Sequence, residues 1–399
     1  MKNEFGKLVI TRYKNNILSL LYNERNEVEE ICCDAGLHES LLGNIYVGRV
    51  ANVVNSINAA FIEFSPGRMG YFSMEDEPDP IYVDLERKQG PLRAGDVLIV
   101  QVIKDAQKTK EPVLSSNINL TGKYVVLTLN QKGLHFSSKF KDTEKKKLIR
   151  ERYETVKNDK FGFIIRTNSE EADIDDIFEE IDFYSMLWLA VRDCGADKTV
   201  FSLLYPAPKS YLTSIRDGYD AVVSMIVTDD REIYEEVKQY LTVYQNNDLD
   251  KLVFYDNKYV PLKVLYNVEK IVANALDEKV YLRSGGYLYI QPTEALVSID
   301  VNTGRYVSKY SAQEEYLKVN LEAAEEIARQ IRLRNLSGII IVDFINMKIP
   351  ENRQLLMKTM EELLSRDPQK TTLVDMTRLN LVEITRKKGR RPLYELIDF

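Results

Sequence analysis

Two apolar runs in this chain each close on an aspartate: EALVSID ends on Asp300, and SGIIIVD ends on Asp343. A short apolar run bounded by turn signals predicts a buried and parallel strand, and Ile339 to Val342 fits that description. Between the runs lies SAQEEYLKVNLEAAEEIARQIRLRN, with apolar positions at helical spacing (Leu317, Leu321, Ala324, Ala328, Ile331) and a capping box of Ser311 with Glu314 at its start. The pattern predicts strand, crossover helix, strand. Right-handed crossovers set such strands parallel, and in open α/β sheets the carboxyl ends of the strands face the ligand crevice. Neighbouring strands lie about 4.8 Å apart, so Asp300 and Asp343 can ligate one hard cation at Mg–O distances of about 2.0–2.1 Å. Asn302 is placed to orient a ligand or a water. On spacing alone, aspartates after strands also serve as turn formers and helix caps.

Elsewhere the patterning is shorter in period. Residues 1–39 alternate as two or three strands with Leu8, Ile10, Ile17, Leu18, Leu20 and Val28 as core, and carry no chemical motif. From GNIYVGRV to EPVLSS, short alternating strands with glycines at the turns predict a small β-barrel. In AAFIEF, the residues Ala60, Ile62 and Phe64 share one face while Phe61 falls on the polar side with Glu63. From about Leu120 to Pro208, Arg166 and Thr167 close an apolar strand, and Asn168 or Ser169 is expected to cap the following helix. A guanidinium, a hydroxyl and helix-terminal amides make a phosphate receptor, although an arginine so placed is more often a structural ion pair. The helix from Ile174 to Arg192 is expected to bury Ile177, Ile181, Tyr184, Met186 and Trp188. The run KKKLIRER at 145–152 reads as a solvated helix face, with Lys139 nearby adding to the local positive charge. In the stretch 212–276, Asp229 and Asp230 read as an N-cap.

Composition narrows the chemistry. The net charge of -7 is unlike that of a sequence-blind nucleic-acid coat, so positive charge must be concentrated locally, as it is at Arg378, Arg386, Lys387, Lys388, Arg390 and Arg391. Cys32, Cys33 and Cys194 offer neither a disulfide framework nor a CxxC pair. With only His38 and His135 present, histidine-based triads are hard to assemble, and carboxylates with a metal are the better catalytic materials. The opening MKNEFGKLVITRYKNN holds no apolar signal segment, and no run approaches the roughly 18 apolar residues of a membrane span, so a cytosolic protein is expected.

Three strings, SIDVNTG, NLEAAEEIARQIRLRNLSGIIIVDFINM and TRLNLVEITRKKGRR, closely resemble the catalytic core of the ribonuclease E/G family of endoribonucleases. The pattern G-x-I-x-x-G-x-V with AAFIEF and GYF resembles the family's OB-fold RNA-binding module. The resemblance implies a multidomain α/β architecture. Residues 1–39 and 212–276 would form a split RNase H-like subdomain, 40–119 an OB-fold barrel, 120–211 a 5′-phosphate sensor, and 277–399 a deoxyribonuclease I-like catalytic subdomain. It further implies Mg²⁺ on Asp300 and Asp343, with Mn²⁺ as a substitute and Asn302 assisting. RNA contacts would come from Phe61, Tyr71, Lys110, Arg378 and Arg386, and 5′-monophosphate sensing from Gly122, Val126, Arg166 and Thr167. Expected chemistry is hydrolysis of single-stranded, A/U-rich RNA to 5′-phosphate and 3′-hydroxyl ends, in ribosomal and transfer RNA processing and messenger RNA decay in a bacterial cytoplasm. The sequence departs from the family at Leu379-Asn380, where Phe-Gly is common, and at Phe399, which precedes any CPxC zinc-link or small dimerisation domain. No zinc and no scaffold tail are therefore expected, and the oligomeric state stays open. The competing expectation is a non-catalytic RNA-binding accessory factor in ribosome assembly or RNA processing.

Overall fold

The computed structural model describes residues 5–35, 40–76, 79–84, 91–106, 110–217, 222–304 and 312–397. The chain forms two compact units, Met1–Glu39 with Ser210–Phe399, and Ser40–Lys209. Ser311, and with it the expected capping box, lies outside the described residues. No helix among them is long and apolar enough to cross a membrane.

The first unit contains two sheets. Phe5–Tyr13, Asn16–Tyr22 and Val28–Ala35 form an antiparallel meander, and Val222–Thr228 then Leu252–Phe254 add in parallel beside Phe5–Tyr13. Alternation sends Leu8 and Ile10 to one side, against Ile226, Ile233 and Leu241, and Val9, Leu18 and Leu20 to the other, against Leu262, Val268 and Leu333. Asp230 caps the helix Arg231–Tyr244, accepting from the Glu232 and Ile233 amides at 2.9 and 3.0 Å. Asp229 instead accepts from the Thr11 hydroxyl at 2.9 Å and so ties the meander to the returning strand.

The second sheet runs in the order Lys279–Tyr281, Tyr287–Pro292, Leu296–Asn302, Gly338–Asp343, Leu381–Arg386, Thr371–Met376. Every neighbouring pair is antiparallel except Leu296–Asn302 with Gly338–Asp343, which the helix Ala312–Leu333 connects as a parallel crossover. That helix and Pro350–Ser365 cover one face of the sheet, burying Ala324, Ile327, Ile331, Leu356 and Met360 against Leu288, Ile299, Ile340 and Val342. Small residues on the crossover helix let it lie close to the strands. The opposite face is open, with Tyr281, Ile339 and Val374 each more than half exposed at 72%, 51% and 53%.

In the second unit, Ile45–Val54, Ala59–Ser65, Arg68–Ser73, Val113–Ser115 and Val97–Lys104 close into a five-stranded barrel, the last strand pairing back onto the first. Ala60, Ile62, Phe64, Phe72, Val100 and Leu114 fill it. A separate four-stranded sheet, in the order Gly133–Phe136, Gly162–Ile165, Val125–Thr128, Asn119–Thr121, packs with the helices Thr143–Tyr153 and Ile174–Asp197.

Three local expectations are corrected here. Met186 is 71% exposed although Ile177, Ile181, Tyr184 and Trp188 are buried, because it lies about 200° around the helix from both Tyr184 and Trp188. A short 3₁₀ turn over Thr167–Glu170 intervenes before the long helix, whose N-cap is Asp173, so neither Asn168 nor Ser169 caps it. Ser169 is buried, and its hydroxyl donates to the Tyr124 carbonyl at 2.7 Å. Lys145 is no free member of a solvated face, since its ammonium donates to the carbonyls of Glu170 and Ala172 and so ties the helix to that turn.

Candidate active site

The parallel register sets Asp300 directly opposite Asp343. Val297, Ile299 and Val301 on one strand, and Ile340 and Val342 on the other, are buried against the helices, so the alternation forces both carboxylates onto the open face. Asp300 is not the last residue of its strand, which continues to Asn302. The crossover pattern predicts a pair at the strand ends facing a crevice; instead the pair sits on the sheet's open face near its carboxyl edge. Asn302 Nδ2 donates to Asp300 Oδ2 at 2.7 Å and fixes that carboxylate. Partial burial, with the nearby negative charge of Asp300, pushes the Asp343 carboxyl above its usual value. Two like charges held this close favour a cation between them.

The segment after Asp343 is pinned from below by a residue the pattern reading passes over. Asn320, fully buried, donates from Nδ2 to the Ile345 carbonyl at 2.8 Å and accepts from the Ile345 amide at 3.0 Å. An asparagine inside the apolar stripe of EYLKVNLEAA was the available signal. Among the described residues, no group of three or more histidine, cysteine or acidic side chains is arranged to hold a metal. The donor set is two carboxylates with an amide beside them, which suits a small hard cation that keeps several waters.

Of the expected basic cluster, only Arg378 lies at this end of the sheet. It is exposed in the turn after Thr371–Met376, and Asp343 pairs with Leu381, the first residue beyond that turn. Arg386 is 5% exposed and bound to Asp367 at 2.7 Å, to Asn335 at 2.7 Å and to the Leu336 carbonyl at 3.0 Å. A guanidinium so enclosed is structural, and the RNA-contact expectation for Arg386 is corrected accordingly. Arg390 donates to the Cys32 sulfur at 2.6 Å and to the Thr213 hydroxyl at 2.8 Å, which is again a structural role. Lys387 and Lys388 are exposed but follow Arg386, which pairs with Gly338 at the far end of the Asp343 strand. At about 3.3 Å per residue, that end is about 17 Å from Asp343. The family departure at Asn380 is locally accommodated: its φ is +65°, a left-handed conformation that asparagine tolerates better than most non-glycine residues, and its amide reaches Asn346 at 3.0 Å. Leu379 is 78% exposed.

In the second unit, Phe61 and Tyr71 are cross-strand partners with ring centroids 6.2 Å apart, both half-exposed on the barrel's outer surface. Lys110 is exposed on the segment leading into Val113, which pairs with Tyr71. Gly122, Val126, Arg166 and Thr167 lie about the adjoining strands of the four-stranded sheet. Val126 pairs with Ile164, and the Arg166 guanidinium donates to the Gly122 carbonyl at 2.5 Å, while the Thr167 hydroxyl donates to Ser137 at 3.1 Å. Beneath them is Glu180, which accepts from the consecutive amides of Lys123, Tyr124 and Val125 at 2.7, 2.6 and 2.8 Å. Burial raises its pKa against the pull of those amides and of Arg166. A Cβ at Gly122 would lie 2.5 Å from the Glu180 carboxyl and the Tyr184 ring, so only glycine fits. Amides 123–125 are thus filled from within, while Arg166 and Thr167 are partly exposed and already bonded within the unit. Glu180, one acid among several in IFEEIDFY, carries no sequence signal of this role.

Paired carboxylates on an open sheet face, carried in one chain with a closed barrel that presents aromatic rings, make the build of a nucleic-acid enzyme. The chain belongs to the ribonuclease E/G family, whose model matches residues 119–389. It is 30% identical over 383 residues to ribonuclease G of Haemophilus influenzae, covering 94% of this chain and 78% of that protein. Ribonuclease G of Escherichia coli is 30% identical over 385 residues with the same coverage of 94% and 78%. Ribonuclease E of a Nostoc species is 32% identical over 378 residues, covering 93% of this chain and 54% of that protein.

Proposed function

We propose that this protein is a divalent-metal-dependent endoribonuclease that hydrolyses single-stranded RNA at Asp300 and Asp343. The observation that carries the reading is the register: two strand-borne carboxylates face each other on an open sheet, with Asn302 on one and a raised pKa on the other. A pure RNA binder gains nothing from paired charges that repel phosphate. Mg²⁺ held there, or Mn²⁺ in its place, would supply Lewis acidity toward the scissile phosphate and a water of lowered pKa. The chain's own residues do the positioning. Asn302 keeps Asp300 in one orientation, Asn320 fixes the backbone that follows Asp343, and exposed Arg378 offers charge to an approaching phosphate. Cleavage of this type leaves 5′-phosphate and 3′-hydroxyl ends.

The barrel would clamp unpaired, A/U-rich RNA through Phe61, Tyr71 and Lys110, and Arg166 with Thr167 would favour 5′-monophosphate ends. The mixed five-stranded sheet of the first unit is read as RNase H-like and non-catalytic, and the six-stranded sheet as the deoxyribonuclease I-like catalytic part. Cytoplasmic RNA processing and decay are the roles that follow. The test is single-turnover cleavage of a 5′-monophosphorylated, A/U-rich RNA in Mg²⁺ by wild type, Asp300→Asn and Asp343→Asn, with binding measured alongside. The expected result is cleavage by wild type alone and binding by all three. Full cleavage by either variant, or binding without cleavage by wild type, overturns the reading.

A further inference from the structure

The open face of the six-stranded sheet carries, beside Asp300, a cluster that the proposed reaction does not use. Tyr289 lies directly opposite Asp300 and Tyr287 opposite Asn302 on the neighbouring strand. On the edge strand beyond, Lys279 pairs with Tyr289 and Tyr281 with Tyr287. Directly paired residues point to the same side of a sheet, so the rings and the ammonium share a face with the carboxylates. Lys279 Nζ stands 4.1 Å from the Tyr287 ring centroid, 4.9 Å from that of Tyr281 and 5.7 Å from that of Tyr289. Tyr287 and Tyr289 meet edge to face at 5.6 Å. Tyr281 is 72% and Tyr289 38% exposed, whereas the alternate residues Leu288 and Ile290 are buried and supply the core. The tyrosines are therefore not needed to hold the sheet to its helices. Among the described residues, no carboxylate makes an ion pair with Lys279.

We propose that this lysine–tyrosine platform is a subsite for the RNA strand, on which bases flanking the scissile phosphate stack against Tyr281 and Tyr289 while Lys279 engages a backbone phosphate. The proposal rests on the reading of Asp300 and Asp343 as the cleavage centre and gives that centre a flanking contact. Position and chemistry both favour RNA as the occupant. The platform occupies the next two strands, about 5 and 10 Å from the Asp300 strand, and is continuous with it on one face. A polyanion with an aromatic face on every residue matches rings set around a lone cation, and stacking of this kind tolerates any base.

The experiment uses a 5′-monophosphorylated, A/U-rich RNA with 2-aminopurine at single positions around the cleavage site. It is kept whole by measuring fluorescence in the Asp343→Asn background, with cleavage followed separately in the otherwise native chain. Tyr281→Leu and Tyr289→Leu are expected to abolish quenching at flanking positions and to weaken binding at least about fivefold each, while Tyr289→Phe keeps both. Lys279→Gln should flatten the slope of log affinity against log salt by about 0.7. Tyr281 and Lys279 stand outermost, so their variants decide the matter even where Tyr289→Leu does not fold. Unchanged quenching, affinity and salt slope, with cleavage still abolished by Asp300→Asn, would overturn the subsite and leave the cleavage centre standing. Intact RNA binding with an altered elution volume in the tyrosine variants would mark the face as a protein contact and overturn it equally. Cleavage that survives Asp300→Asn would instead remove the centre on which the subsite rests.

Discussion

Two arginines eight residues apart show why charge alone does not identify an RNA contact. Arg378 and Arg386 sit in one basic stretch, yet the first is exposed at a turn and the second is enclosed with Asp367, which is 1% exposed at its side chain. Breaking a buried pair leaves a stranded charge, at a cost of about 3–5 kcal/mol. Arg386→Ala should therefore lower the denaturant midpoint markedly and leave the RNA affinity of the remaining folded protein unchanged. Arg378→Ala should do the reverse, leaving the midpoint in place and flattening the salt dependence of RNA binding by about 0.7 in slope. Asp300, Asn302 and Asp343 were legible in the sequence because apolar runs announce their strands and a parallel crossover leaves them little choice of neighbour. Arg386 was not, because its partner lies across a sheet edge that no local pattern records. Neither was Glu180, since nothing in a helix sequence shows which of its acids will meet a loop of free amides.

At the scale of elements, the sequence was most informative where a helix end depends on one side chain. Asp230 caps Arg231–Tyr244 and also pairs with Arg12 at 2.5 Å. Burial alone would raise its pKa, but the Arg12 bond and the Ile233 and Glu232 amides outweigh that and hold it below the ordinary value. The sign follows from linkage. A depressed carboxylate contributes its full stability above the unfolded pKa of about 3.9, and that contribution is lost as pH falls through the folded value. Asp230→Ala should cost about 1 kcal/mol at pH 7, and chemical denaturation repeated at steps below pH 4 should find the gap to wild type closing. Asp230→Asn, which keeps a capping oxygen, should lose less at pH 7. Helix starts without such a bond were harder to read. The expected cap at Asn168 or Ser169 gave way to a 3₁₀ turn because Ser169 is drawn inward by the Tyr124 carbonyl. Met186 was misplaced because spacing gives a helix's apolar face only approximately, and its side chain emerges on the exposed side of the helix.

Taken whole, the molecule pairs its first strand with a segment more than two hundred residues later, as Phe5 with Val222 in one sheet, while Ser40–Lys209 forms a unit of its own. No motif in residues 1–39 foretold that pairing; the alternation marked strands but not their partners, since a strand's edge carries no address. Residues Ser40–Lys209 carry the barrel's ring pair, and the other unit carries the carboxylates, so binding and cleavage should separate by mutation. If Mg²⁺ binds only the folded pair, at about one hundred times its dissociation constant it should stabilise wild type by roughly 2.7 kcal/mol. A chelator should then lower the melting temperature of wild type and leave Asp343→Asn unmoved. That variant should also melt higher than metal-free wild type at neutral pH, because it removes a carboxylate whose ionised form is disfavoured in the fold. The converse lies in the barrel. Phe61→Leu with Tyr71→Leu removes both half-exposed rings, and if each stacks a base the loss is about 1–3 kcal/mol apiece. Single-turnover cleavage across a range of enzyme concentrations should show this double variant needing far more enzyme for half-maximal rate, yet reaching the same maximum. A lowered maximum would mean that the rings also set the geometry of the scissile bond, a role no separation of binding from chemistry allows. Asp300→Asn in the same experiment should bind at wild-type concentrations and never cut, so that the ring pair and the carboxylate pair each fail in only one way.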